Sequence, residues 1–572
     1  MANLSQQKRE RMLAFLNKVK EEHKDDDETL VALDEIENEL NSKKYGLVWE
    51  KHEEQVDVMM QDNIPVFSEV KEREIKATDK NAYNFLLEGD NLHSLKLLEK
   101  THAGKIDVIY IDPPYNTKSK EFIYDDYKIG EDDTYRHSKW LSFMNERLQL
   151  AKLLLSDEGV IFMSIDEHEF AQLKLLSDNI FGVQNFIENF IWVKNSTKNT
   201  SKTTSTNHEY VLCFAKNIDV LSSKEKFRKH KEGYEAVLNI VDSAKLGGKT
   251  PAEAQKLLRE FYKKHNELKG ISLYNFVDEN WNIYQSDNSS APKSTGVSQT
   301  YDVIHPITGK ACKVPSRGWA YCQETMQQHI ANNRILFGKD ETTVPRFKRF
   351  LKDVKTEVRK SVISDYSDGK KELQKIFGQA NFNNAKPTTL IADLLGTFGK
   401  HVTILDFFAG SGTTAQAVLE LNKEDGGNRK FILCTNNENH ICEEVTYERI
   451  KRVINGYADV EGIPANLKYF KTDFIPKDAD DVSEELLSHI KEMVELENGI
   501  TLDNQHYLIV LTDEQADALA KNWSSYGDVR AIYVSRDVLL TTEQQACFAG
   551  TEIHVIPDYY FEYELKEAGE AW

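Results

Sequence analysis

Apolar positions along the chain change period several times, and each change marks a new kind of element. Between Gln6 and Lys24, Met12, Leu13, Phe15, Leu16 and Val19 sit among charges at helical spacing, and a second helix is predicted over Glu28–Asn41. Neither carries visible chemistry, so residues 1–80 read as a helical N-terminal region that packs against a partner or stays solvated. From residue 81 short apolar runs alternate with amphipathic stretches. FLLEGDNLHSLKLLEK (85–100) predicts a strand, a Gly-Asp-Asn turn and a helix, and Ile106–Ile111 predicts a buried strand. A helix over 138–155, a strand over 159–166 and a helix over 167–181 follow, then strands around 185–195 and 208–217. Apolar strands alternating with helices of this length indicate βαβ units and a parallel sheet.

Between about 196 and 380 the rhythm fails. The stretch is rich in Lys, Asn, Ser and Thr, with isolated aromatics such as Tyr274, Phe276, Trp281, Tyr284, Trp319 and Tyr321 and turn signals at Pro306, Gly309 and Pro315 to Gly318. It predicts an inserted α+β domain over 218–380. The α/β rhythm resumes with a helix over 386–400, a strand over 401–410, a Gly/Ser turn, a helix over 415–422, a strand over 430–437 and a helix over 441–457. One α/β domain is therefore expected in two halves, 81–217 and 381–470. Beyond an acidic linker (477–485), strands at 507–512, 531–536 and 552–557 predict a small separate α/β domain within 471–572.

Charge modifies this picture. The formal net charge of −21 argues against a polyanionic partner, but it is unevenly placed. Residues 1–80 hold 13 Lys/Arg against 20 Asp/Glu and 471–572 hold 7 against 22, whereas 193–380 hold 32 against 21. The basic middle is the candidate region for a phosphate backbone; within it RFKRFLKDVKTEVRK (346–360), read at helical spacing, is either a solvated face or a candidate for phosphate contacts. No apolar run reaches the roughly 18 residues of a membrane span, and the N-terminus has no apolar core of signal-peptide type. Six cysteines without a CxxC pair argue against a zinc ribbon and for a reducing cytosol.

Two short stretches carry the chemistry. In YIDPPYNT (110–117) a buried strand ends in two prolines, which stop the ladder and stiffen a turn displaying Asp112 and Tyr115. An amine conjugated to a ring is a poor nucleophile because its lone pair is delocalised. A fixed pair of acceptors, Asp112 Oδ and the Pro113 carbonyl, can bind its two N–H groups and favour the tetrahedral nitrogen, while Tyr115 can stack on the ring. In LDFFAGSGTT (405–414) glycines between a strand and a helix let the backbone approach a ligand at a helix N-terminus. No Gly-Lys-Ser/Thr follows, so it is not a P-loop. Asp166, Glu167 and His168 could suggest a metal site, but a helix N-cap and first turn is the favoured reading, and no metal is assigned.

DFFAGSGTT resembles the FxGxG motif of amino-methyltransferases. With DPPY in the same α/β domain, the chain is similar to the beta-class DNA amino-methyltransferases, and most closely to the modification subunits of type III restriction–modification systems. The resemblance spans about 80–460 and is carried by EGDNLHSLKLLEK, YIDPPYNT, KWLSFMNERLQLAKLLL, GVIFMSIDEHEFAQL, FGVQNFIENFIWVKN, NHEYVLCFAKN, KPTTLIADLL and LDFFAGSGTT, in the family's order of catalytic motif first, target recognition between and cofactor motif last.

It implies a Rossmann-like S-adenosylmethionine-dependent domain of permuted motif order, transferring methyl to N6 of an adenine flipped from double-stranded DNA. Asp112, Pro113, Pro114 and Tyr115 would be catalytic. Asp406, Phe408, Ala409, Gly410, Ser411, Gly412 and Thr413 would form the cofactor loop, Asp90 would lie near the cofactor's adenosine and Lys386 near its methionine end. Asn436 or Glu438 would face the ribose, and His208 would line the base pocket. The resemblance also implies a homodimer in a prokaryotic cytoplasm, accompanied by a separate restriction subunit. The nearest rival is cytosine-N4 methylation, for which the family more often has Ser in place of Asp112; a rival of another class is a catalytically silent recognition subunit.

Overall fold

Ile106 to Ile111 is apolar on both faces except at Asp107, as suits a strand covered on both sides. The computed structural model, which describes residues 4–24, 26–41, 49, 52, 54–117, 136–194, 204, 206–223, 226–292, 299–364, 367–379, 384–557, 560–562 and 564, places it inside a ten-stranded sheet. The strands are β1 (Asn63–Glu69), β2 (Tyr83–Glu88), β3 (Ile106–Ile111), β4 (Leu155–Ile165), β5 (Phe186–Val193), β6 (His208–Ala215), β7 (Val362–Ser364), β8 (Thr403–Asp406), β9 (Lys430–Thr435) and β10 (Asn466–Pro476). Their order is β1-β10-β2-β9-β8-β3-β4-β6-β5-β7. The run from β10 to β4 is parallel throughout. β6 is antiparallel to both β4 and β5, and β1 is antiparallel to β10.

The helices that matter for the site are α1 (Asn91–His102), α2 (Arg136–Leu154), α3 (Phe170–Phe181), α4 (Thr388–Leu395), α5 (Thr413–Asp425), α6 (Glu448–Asn455) and α7 (Ile490–Asn498). The chain runs from β3 through α2 to β4 on one side, and from β8 through α5 to β9 on the other. β3 and β8 are nevertheless neighbours, with Val108 opposite Ile404 and Ile109 opposite Leu405. Their C-terminal ends flank the point where the strand order reverses, the usual ligand crevice of an open α/β sheet.

The expected α/β architecture is the one the chain adopts, but its boundaries move. The chain divides into two compact units, 1–224 with 360–572, and Glu225–Arg359. The inserted unit is thus smaller than 218–380. Residues 362–364 pair with β5, and the helix Gly369–Phe377 lies against α6, where Arg452 Nη1 donates to the Ile376 carbonyl at 2.9 Å. At the N-terminus 1–80 is not wholly helical, because β1 belongs to the main sheet. The three C-terminal strands, Tyr507–Val510, Ala531–Ser535 and Glu552–Ile556, form a parallel sheet of their own. It is not a separate domain, since Ala531, Tyr533, Ile556 and Phe561 join the same buried cluster as Tyr83, Leu98 and Ile109.

Within the inserted unit, residues 335–336, 346–350, 283–287 and 276–277 form an antiparallel sheet in that order, and helices Tyr234–Leu246 and Pro251–Lys264 accompany it. Residues 346–350 are therefore a strand, not a helix, with Phe347 and Phe350 buried and Arg346 and Arg349 exposed. Arg228–His230 pairs with Thr356–Val358, Arg228 opposite Val358, so the unit's entry and exit lie side by side. Among the described residues no helix is long and apolar enough to cross a membrane.

Lys468 on β10 is 1% exposed and sits 2.6 Å from both Glu69 of β1 and Glu495 of α7. Burial pushes the Glu495 carboxyl up against the pull of Lys468. Lys468→Met would leave the two buried carboxylates only the more exposed Lys491, 3.0 Å from Glu69 and 3.6 Å from Glu495, at a cost of about 3 kcal/mol. The expected result is a lower Tm, with hydrogen exchange rising in 490–498 before it rises in β3.

Candidate active site

The turn after β3 is pinned from three sides. Tyr110 is hydrogen-bonded through its hydroxyl to Ser164 Oγ at 2.8 Å, tying β3 to β4. Trp140 of α2 donates its indole N–H to the Pro114 carbonyl at 2.7 Å. Asn116 takes a left-handed φ of 54° and donates its amide to Glu169, a buried carboxylate that also meets His137 Nδ1 at 2.7 Å. With Pro113 and Pro114 unable to extend the ladder, Asp112 and Tyr115 are held on a turn with little freedom.

Asp112 is the centre of a charged cluster. Lys386 Nζ lies 2.8 and 2.7 Å from its two carboxylate oxygens and 3.5 Å from Glu209 Oε2. The Tyr115 hydroxyl reaches Asp112 Oδ1 at 2.9 Å and Glu209 Oε2 at 3.2 Å. Lys194 pairs with the other oxygen of Glu209. The Lys386 ammonium also lies over the Tyr115 ring, 4.9 Å from its centroid. Burial works against charge on Lys386, but Asp112 and Glu209 outweigh it and hold its pKa above the ordinary value. Burial likewise opposes the Glu209 carboxylate, and Lys386 and Lys194 hold it low. Burial first, then the neighbouring Asp112 and Glu209, push the Tyr115 phenol well up.

Lys386 reaches across to the DPPY carboxylate, a contact that the sequence did not predict. On β6 successive side chains face opposite ways, so Glu209, not His208, meets Asp112 and Tyr115. His208 Nε2 instead lies 3.0 Å from the Tyr210 hydroxyl. The only sequence signal for Glu209 was an acid at the start of an otherwise apolar strand, and nothing local says which face it takes.

One strand away, the turn after β8 is shaped by its own side chains. Asp406 is buried, accepts from the Phe408 N–H at 3.0 Å and from the Thr414 hydroxyl, and has its carboxyl pushed up to about 7 by burial. Its carboxylate is therefore engaged inside the loop. Arg449 of α6, fully buried, donates Nη1 to the Ser411 carbonyl, Ser411 Oγ and Thr413 Oγ1 at 3.2, 3.2 and 2.7 Å, and Nε to Gln416 at 2.8 Å. Burial lowers its pKa to about 10. Thr446 donates to the Gly410 carbonyl at 2.6 Å, and Ala409 N–H to the Cys434 carbonyl of β9 at 3.1 Å. With the side chains of Ser411 and Thr413 engaged, what the loop can offer a ligand is chiefly backbone at the α5 N-terminus. Phe408 packs 5.8 Å from Phe143.

Asp90 caps α1 by accepting from Leu92 N–H at 2.7 Å and keeps a partly exposed carboxylate. Beside it, the buried Arg147 donates Nε to Asn91 at 2.5 Å and its two terminal nitrogens to Glu54 at 2.7 and 3.0 Å. Asn91 in turn donates to the Phe407 carbonyl at 2.9 Å, joining the ends of β2 and β8. After β9, Asn436 and Glu438 flank a residue that meets the acid at the end of β2. That residue, Asn437, donates to Glu88 at 3.2 Å, and Glu88 also accepts from the Tyr469 hydroxyl. The chain there takes left-handed φ at Asn439 and His440 (51° and 58°) and enters a π-helical turn, Ile441–Tyr447, an irregularity that often accompanies function. Asp166 accepts from the N–H and ring of His168 at 3.0 and 2.9 Å, closing a local turn one residue short of the α3 N-cap, Glu169.

Gly412 has φ +76°, and an added Cβ would lie 3.3 Å from Thr446 Cγ2. Gly426 has φ +67° with nothing within 4 Å. Gly426→Ala should cost about 1 kcal/mol for its backbone alone, and Gly412→Ala more, about 2–3 kcal/mol, by thermal unfolding. Equal costs would mean that the loop relaxes around the methyl.

A family profile described as DNA methylase matches residues 106–447, from the start of β3 to the end of the π-helical turn. The chain is 30% identical over 523 residues to the type III restriction-modification enzyme EcoP15I Mod subunit of Escherichia coli, covering 86% of this chain and 78% of that protein. It is 30% identical over 535 residues to the EcoPI Mod subunit of Escherichia phage P1, with the same coverage of both chains. It is 34% identical over 407 residues to the StyLTI Mod subunit of Salmonella typhimurium, covering 66% of this chain and 56% of that one. The chain belongs to the DNA methylase family, among the modification subunits of type III restriction–modification enzymes.

Proposed function

We propose that the chain transfers a methyl group from S-adenosylmethionine to N6 of an adenine turned out of duplex DNA. The observation that carries this reading is the juxtaposition of Asp112-Pro113-Pro114-Tyr115 and the 408–413 turn at the ends of neighbouring strands. The exocyclic amine would lie between Asp112 Oδ and the Pro113 carbonyl; the next carbonyl, of Pro114, is already taken by Trp140. Acceptors fixed beforehand favour the tetrahedral nitrogen without reorganising at the moment of reaction. Tyr115 offers a ring to replace the stacking that the base loses on leaving the duplex. Asp at the first position of the motif favours adenine over cytosine.

The donor set fits the cofactor. The glycine turn at the α5 N-terminus suits its carboxylate. The partly exposed Asp90 offers an acceptor to hydroxyl or amine, and Phe408 offers apolar surface. When bound, S-adenosylmethionine supplies a methyl group already activated by sulfonium, so the protein's share is mainly positioning. The inserted unit, with 23 Lys/Arg against 16 Asp/Glu in 225–359, would follow the phosphate backbone and read the site. The acidic ends, 1–80 and 471–572, would serve docking, either of a second copy in a homodimer or of a restriction subunit, in a prokaryotic cytoplasm.

Sequencing host DNA with and without this gene should reveal N6-methyladenine at one sequence context, lost on deletion. Asp112→Ala should abolish transfer and leave S-adenosylmethionine affinity within about threefold of wild type, because Lys386 keeps Glu209 as a partner and the 408–413 turn is held by Arg449 and Thr446; unchanged transfer would refute the role of Asp112. Replacing 226–358 by a short Gly/Ser linker is geometrically mild, since the paired ends already lie side by side. The product should bind cofactor but show no preference for the methylated sequence in competition binding.

A further inference from the structure

We propose that Glu209 is a positioning residue that receives the Lys386 ammonium when the substrate amine takes Asp112, an inference that rests on the role of Asp112 given above. The geometry presents a conflict. Both oxygens of Asp112 lie within 2.8 Å of Lys386 Nζ, and Oδ1 also faces the Tyr115 hydroxyl at 2.9 Å. The same ammonium lies over one face of the Tyr115 ring. Acceptor and stacking surface are thus both covered by a side chain that is 10% exposed.

A neutral amine is a weaker partner for a carboxylate than an ammonium. An ammonium driven from its carboxylate within a buried site, with no second one to go to, would pay several kcal/mol. Glu209 removes that cost. Its Oε2 is already 3.5 Å from Lys386 Nζ, so a shift of less than about 1 Å brings the ammonium to hydrogen-bond distance. Its Oε1 is occupied by Lys194, which leaves Oε2 as the face turned to the cluster. The Tyr115 hydroxyl, shared between the two acids at 2.9 and 3.2 Å, can follow the ammonium or replace it. Base capture then becomes an exchange of hydrogen bonds between two carboxylates, with no charge left unpaired. Without Glu209, Lys386 would stay on Asp112.

The test measures recognition of the amine itself. Duplexes carry the mapped methylation site with either adenine or purine at the target position, each opposite an abasic position so that no base pair must be broken. Affinity of the full-length protein is measured with S-adenosylhomocysteine present. Wild type should prefer adenine about tenfold or more, the worth of one hydrogen bond to a charged acceptor. Glu209→Gln should lose most of that preference, and Glu209→Gln combined with Lys386→Met should regain it, since the competing ammonium is gone. A merely structural Glu209 would not be rescued by deleting a lysine. Full preference in Glu209→Gln, or none in the double variant, overturns the role of Glu209; if Glu209→Gln does not fold, Glu209→Asp, whose shorter side chain draws its carboxylate away from Lys386, takes its place alone and combined with Lys386→Met. No preference in wild type would instead refute the role of Asp112, on which this one rests.

Discussion

The pairing of β3 with β8 is the constraint on which everything else at this site depends. Val108 and Ile109 lie opposite Ile404 and Leu405 although almost 300 residues separate them in the chain. Because the strands are parallel, both turns emerge on the same edge of the sheet. The rigid acidic turn and the glycine turn therefore stand one strand apart, a few ångströms from each other by strand spacing. The long intervening sequence has only to leave and return. Its compact part, Glu225–Arg359, does so through the paired segments 228–230 and 356–358.

Around that edge the protein places buried cations where a purely apolar core would be simpler. Lys386 faces Asp112 and Glu209, Arg449 holds the glycine turn, and Arg147 joins Glu54, Asn91 and Asp90. Such groups are poor sources of net stability, because desolvation cancels much of the attraction, but they must keep their hydrogen-bond partners close. Arg449 is the clearest case. Its guanidinium reaches Ser411, Thr413, Gln416 and Thr388, and so fixes the β8 turn against α4, α5 and α6 at once. The loop's side chains are thereby spent on shape, and its backbone is what remains to bind. Lys386 differs in having two carboxylates within reach, Asp112 at 2.7 Å and Glu209 at 3.5 Å.

What was legible from the chain was whatever is decided within a few residues. Two prolines end a strand wherever they occur, and glycines at a strand–helix junction permit the positive φ seen at Gly410 and Gly412. DPPY and FAGSG could therefore be assigned without a fold, and alternating apolar runs were enough for the α/β class. The boundary of the insert was not legible, because β7 is three residues long and is a strand only because β5 lies beside it. Nor was the fate of the acidic C-terminal segment, whose strands share the main core through residues such as Tyr533 and Phe561.

The same division runs through the site. By itself the sequence determined the proline turn, the glycine turn and the family they imply, because local backbone chemistry makes those motifs what they are. Only the tertiary structure decided what surrounds them. The pleat of β6 turned Glu209 toward Asp112 and His208 away; the chain after β9 set Asn437 against Glu88; and the fold around the β8 turn engaged Asp406 as its internal brace. Facing, burial and the partner across a strand are properties of the packed sheet, and no spacing along the chain encodes them.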